Sequence, residues 1–116
     1  MIQIGAKDKI LVAKNPIDFR CGIDSLAGSC KEKFKEDPFS GTYFVFCNKS
    51  KCGIKILFYD GQGFWLFHKR FSKGKISWWP KGNTDLSLID SKNFLLLIFN
   101  GDPGKVAFQT NWRDLT

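Results

Sequence analysis

Four cysteines, Cys21, Cys30, Cys47 and Cys52, and the one histidine, His68, have the most distinctive chemistry in this chain, because thiolate and imidazole together hold zinc. A zinc site would pair Cys47 and Cys52 with Cys21, Cys30 or His68. The spacing C-x8-C-x16-C-x4-C matches no standard pair of knuckles, however, and Cys30 falls on an apolar helical stripe that suits a buried thiol. Metal-dependent strand cleavage would need clustered carboxylates, for which Asp18, Asp24 and Asp60 are the candidates. Asp18 reads better as a helix cap and Asp60 as a turn residue. His68 has no placed nucleophile, since Ser50, Ser72 and Ser77 fall in turns or loops. There is no Gly-x-x-x-x-Gly-Lys-Ser/Thr loop for nucleotide phosphates. The expectation is a protein without catalytic residues, metal or cofactor.

The cations carry a clearer message. Formal net charge is +7 over 116 residues. Lys49, Lys51, Lys55, Lys69, Arg70, Lys73 and Lys75 lie within one stretch and are opposed there only by Asp60, so nearly the whole excess is local. Such a patch attracts polyanions, most often nucleic acid or an acidic membrane surface, and the strand periodicity of the segment does not suit an amphipathic membrane helix. A solvated surface that merely keeps the chain soluble is the plainer alternative.

These residues need elements to position them. The length fits one domain spanning residues 1–116, and a 16% aromatic content supplies bulk for one core. Ile2 and Ile4, then Ile10 to Val12, suggest short strands. Apolar residues at Phe19, Ile23, Leu26, Ala27, Cys30 and Phe34 predict a helix capped by Asp18 and stopped at Asp37-Pro38. Arg20 would lie in its first turn, pairing with Asp24 or reaching a phosphate or partner carboxylate. Tyr43–Cys47, Ile54–Tyr59 and Phe64–Phe71 predict three antiparallel strands, with Asp60-Gly61-Gln62-Gly63 as a hairpin turn. That register pairs Tyr59 with Phe64, Leu57 with Leu66 and Lys55 with His68. It leaves Tyr59, Lys55, His68 and Arg70 on one mixed face suited to phosphate. The opposite face, with Ile56, Phe58, Trp65 and Phe67, should pack on the helix. Beyond Trp78-Trp79-Pro80 the pattern loosens. Phe94–Phe99 is either a short helix capped at its start by Ser91 and ended by a glycine C-cap, or a strand turning at Asn100-Gly101 toward Val106 and Phe108. Trp78 and Trp79 are core or an exposed docking patch. The fold expected is α+β: a small antiparallel sheet, a three-stranded meander plus short N-terminal strands, with one helix on a face and a possible C-terminal helix.

Several runs resemble the accessory protein of the insertion-sequence-66 class of bacterial transposons, the second, TnpB-like reading frame. They are Ile10 to Ala13, Asp18-Phe19-Arg20-Cys21-Gly22-Ile23-Asp24, Asp37-Pro38-Phe39-Ser40-Gly41, Tyr43 to Asn48, Lys55 to Leu66, Lys69-Arg70-Phe71, Gly74 and Trp79-Pro80. The similarity runs in register over about residues 1–101, and the tail from Asp102 departs from it. So does the first hairpin turn, where the family is more basic and this chain has Cys47 and Cys52, and the Gly74–Trp79 interval, which is one residue longer. The resemblance implies a small non-catalytic protein that works in DNA transposition beside a separate transposase. It points to Asp18, Arg20, Lys55, Tyr59, Asp60, Lys69, Arg70 and Trp79.

Together the two lines predict DNA contact by Lys49, Lys51, Lys55, Tyr59, Lys69, Arg70, Lys73 and Lys75, with Arg20 and Trp79 as further phosphate or partner contacts. The alternative is an adaptor that binds the transposase and never touches DNA. No apolar run approaches a membrane span and the N-terminus lacks signal-peptide organisation. The expected setting is therefore the bacterial cytoplasm at the nucleoid, with thiols reduced.

Overall fold

A computed structural model of the protein describes residues 8–101. The expected strand at Ile2 and Ile4, and the hairpin toward Val106 and Phe108, lie outside the described residues. In chain order the elements are β1 (Ile10–Ala13), α1 (Ile23–Glu32), β2 (Tyr43–Cys47), β3 (Gly53–Tyr59), β4 (Phe64–Arg70), β5 (Leu86–Ile89) and α2 (Ser91–Ile98). They form one five-stranded sheet in the order β4-β3-β2-β1-β5, with a helix on each face. This is the α+β architecture that the sequence predicts. β1 and β2 run parallel through the α1 crossover, and every other pair is antiparallel.

The β3–β4 hairpin has the register read from its turn: Tyr59 opposes Phe64, Leu57 opposes Leu66 and Lys55 opposes His68. Asp60 locks it. Its Oδ1 accepts from the Gln62 and Gly63 N–H groups at 2.8 and 3.0 Å, and its Oδ2 accepts from Trp65 Nε1 at 2.7 Å. Gly61 supplies the positive φ of 100° that the turn requires.

The helix lies on the opposite face from the one expected. Leu26 and Cys30 of α1 pack with Leu11, Phe44, Phe46 and Leu57, the face that also carries Lys55. Crossovers between parallel strands such as β1 and β2 take one hand almost without exception, and that rule, whatever the polarity of one lysine, sets which side of the sheet the helix covers. The other face, with Ile10, Val12, Val45, Ile54 and Ile56, is covered by Phe94 and Leu97 of α2 together with Trp79. Strand β5 lies in the stretch where the sequence pattern loosens. It pairs antiparallel with β1, so that β1 is interior to the sheet and fully buried.

Both helix starts also differ from expectation. The N-cap of α1 is Gly22, with no side-chain cap, and Asp18 closes a local turn four residues earlier, where its Oδ1 accepts from the Arg20 N–H at 2.9 Å. Arg20 therefore precedes the helix and cannot make an i,i+4 pair on it. Asp90, not Ser91, caps α2, accepting from the Asn93 N–H at 2.8 Å. That helix ends in a Schellman arrangement: Asn100 has φ 57°, and the Gly101 and Asn100 N–H groups return to Leu96 and Leu97 carbonyls.

Candidate nucleic-acid interface

Three connections meet at one end of the sheet. The turn after β2 is tied by Asn48, whose Oδ1 accepts from the Cys52 and Gly53 N–H groups at 3.0 and 3.3 Å. Beside it runs the loop before α1, held by the Ile17 N–H on the Cys47 carbonyl at 2.9 Å and the Ile17–Asn48 bridge. The loop after β4 docks from the other side. There the Phe71 N–H donates to the Cys52 carbonyl at 2.9 Å and the Ile76 N–H to the Lys51 carbonyl at 2.7 Å. Asn100 at the end of α2 clamps this last loop, its Oδ1 accepting from the Ser77 N–H at 2.7 Å and its Nδ2 donating to the Lys75 carbonyl at 3.1 Å.

The result is a basic rim. Lys49, Arg70, Lys73 and Lys75 are exposed on these connections and carry no ion pair among the described residues. Arg20 joins them, but its guanidinium is held by Asp18 at 2.6 Å. Hydrogen bonding from Arg20 lowers the Asp18 carboxyl to about 2, so the pair stays ionised at neutral pH. Lys51 is half-buried. Its Nζ donates to Cys47 Sγ at 3.5 Å and lies 5.9 Å from the Trp79 ring centre, which draws it toward the core. Partial desolvation, then the positive charges of Lys55 and Arg70, push the His68 imidazole down, so it adds no charge at pH 7.

Four of the expected contacts are placed elsewhere. Lys55 is 7% exposed: its Nζ donates to the Phe19 carbonyl at 2.7 Å and the Cys21 carbonyl at 2.9 Å, 5.0 Å from the Phe19 ring centre. A charged head so enclosed fastens the α1 entry loop to the sheet and cannot reach a phosphate. Tyr59 sits at the hairpin's far end, about 20 Å of strand from Arg70, packed against Phe39 and Phe64. Trp79 is core, its Nε1 donating to the Ala13 carbonyl at 2.8 Å. Lys69 points to the α2 face, where its ammonium donates to the Ile98 carbonyl at the helix C-terminus and stands 5.3 Å from both the Phe71 and Phe99 ring centres.

The metal readings find no geometry. Cys30 and Cys47 lie in the two cores on opposite faces of the sheet, so the four thiols cannot converge. Burial pushes the Cys30 thiol up to about 12 and raises that of Cys47. Cys52 goes the other way, lowered by hydrogen bonds from Ser50 and Asn48. Asp18 at the rim and Asp60 at the hairpin tip occupy opposite ends of the sheet, and no group of three His, Cys, Asp or Glu residues suited to a metal occurs among the described residues. No helix among them is long and apolar enough to cross a membrane.

Asn48 and Asn100 are the positioning residues that the sequence did not single out. An asparagine in a turn is a common signal, and only the tertiary docking shows what these two clamp.

Comparison with known proteins places this architecture in a lineage. The chain is 37% identical over 78 residues to an uncharacterized protein, y4hO, of Sinorhizobium fredii, covering 67% of this chain and 68% of that protein. It is 31% identical over 90 residues to a second, y4jC, of the same organism, covering 78% and 76%. No solved structure matches. The model of the IS66 Orf2-like proteins matches residues 8–104, which include the whole of the described fold, and the chain belongs to that family of insertion-sequence accessory proteins.

Proposed function

We propose that the protein is a non-catalytic accessory factor in transposition that binds duplex DNA through the basic rim and thereby assists a separate transposase. Family membership supports the transposition role. The observation that carries the DNA reading is the meeting of three connections, which brings the segments bearing Lys49, Arg70, Lys73 and Lys75 to one end of the sheet, each of the four exposed. Separately tethered cations at one end of a rigid sheet match a phosphate track, and they would position the protein on DNA without reading bases. Lysines there neutralise phosphates. Arg70, at the end of a paired strand, fixes orientation because its guanidinium can grip one phosphate with two N–H groups.

The test is fluorescence anisotropy of labelled duplexes, the element's terminal repeat and a scrambled control, across a salt series. With four phosphate contacts, log affinity falls against log salt with a slope of about −3.6. Absence of binding at low salt would remove DNA contact from the function. It would leave an adaptor that meets the transposase alone.

A further inference from the structure

A second surface lies away from the rim. β4 is an edge strand, and no strand lies beyond it among the described residues. The Phe71–Cys52 hydrogen bond sets the phase of the β3–β4 ladder. By alternation, the backbone N–H and C=O groups of Leu66 and His68 point outward from the sheet. Between β4 and α2 runs a groove of about 380 Å³ walled by Ile54, Ile56, Phe67, Phe94, Leu95 and Ile98. Trp65 beside it is 53% exposed and Leu95 is 48% exposed. Isolated apolar residues on a surface need no explanation, but a groove flanked by an open strand edge does.

Trp65 is already held in place. Its indole N–H is bound to Asp60 at 2.7 Å and its ring stacks on Phe67 at 5.8 Å and 13°. A rigid aromatic contributes contact area without ordering cost, which is the character of an interface anchor. The charge is one-sided. Lys69 lines the groove as its cation, and no carboxylate lines it among the described residues. The Lys69 ammonium has three hydrogens, of which the Ile98 carbonyl takes one.

We propose that this groove and the free edge of β4 dock an extended segment of another protein, one carrying apolar side chains at alternate positions between acidic flanks. Backbone pairing with Leu66 and His68 gives affinity, alternate side chains enter beside Trp65 and Leu95, and an acidic flank meets Lys69. This is strand addition to a sheet edge bordered by a helix. A second copy of this chain is disfavoured, because edge-to-edge pairing would bring together two chains of net charge +7, each with Lys69 and Arg70 on that strand. A nucleic acid would find apolar walls and a single lysine rather than a row of cations. The proposal stands apart from the DNA reading, since Lys49, Arg70, Lys73 and Lys75 do not line the groove.

The experiment titrates the full chain into fluorescein-labelled peptides with valine and phenylalanine at alternate positions. One peptide has glutamates at both ends, one has lysines, and one has glutamates plus backbone N-methyl groups that block strand pairing. The glutamate peptide should bind and slow hydrogen exchange at the Leu66 and His68 amides. The lysine and N-methyl peptides should bind about tenfold more weakly. Leu95→Glu, at an exposed position, should weaken the glutamate peptide about tenfold, and Trp65→Ala should do so as an independent variant. Lys31→Ala, exposed on α1 away from this edge, should leave it unchanged. Lack of binding, equal binding of the N-methyl peptide, displacement by an oligonucleotide, or a self-association abolished by Leu95→Glu would each overturn the proposal.

Discussion

Replacing Lys55 by methionine keeps the apolar stem and removes only the ammonium. The two carbonyls it serves, Phe19 at 2.7 Å and Cys21 at 2.9 Å, then lose their donor. Hydrogen bonds from a charged group contribute about 1.5–3 kcal/mol each. Removing a buried charge returns part of that, because the ammonium no longer has to be desolvated. The balance is a loss of about 2 kcal/mol, which in a domain of this size lowers Tm by about 8 °C. Urea unfolding followed by circular dichroism measures it, with the m-value checking that the unfolded state is unchanged. A Lys55→Met protein as stable as the wild type would refute the reasoning, since it would mean that the lysine head is solvated and the entry loop is held by something else.

Further consequences are open to direct measurement. Asp90→Ala removes the α2 cap and should cost about 1 kcal/mol, read in the same unfolding experiment. Under a thiol reagent at pH 7, Cys52 should react well before Cys47 or Cys30, because its thiol is lowered while burial raises the other two. Mass spectrometry of timed samples gives the order. The Asp18 carboxyl should titrate near 2 by NMR, and Arg20→Ala should return it toward 3.8. Because its folded value lies below the unfolded one, the pair stabilises the fold above about pH 3.8 and loses that contribution as pH falls toward about 2.

What the sequence reveals divides along the range of the interactions involved. The β3–β4 hairpin was legible to the register because Asp60-Gly61-Gln62-Gly63 is a local device whose carboxylate and glycine act within five residues. The choice of face for α1 was not, because both faces of β3 are apolar apart from Lys55 and the crossover decides between them. Lys55 itself read as an exposed strand residue, since the carbonyls that receive it lie 34 and 36 residues away in the chain. β5 escaped because Leu-Ser-Leu-Ile is too short to show a period and is defined by its pairing with β1. Asp18 looked like a cap, yet its carboxylate is taken by Arg20 two residues on. The basic rim was half legible. The cations cluster in sequence, but their gathering depends on Ile76 meeting Lys51 and on the Asn100 clamp.

The most direct test of the central claim is a charge-by-charge salt series on duplex DNA. Arg70→Ala, Lys73→Ala and Lys75→Ala, each exposed, should reduce the salt slope by about one unit apiece, whereas Lys55→Met should leave it as in the wild type. If the rim variants bind with unchanged slope, or if Lys55→Met alone lowers it, the rim is not the surface that meets DNA.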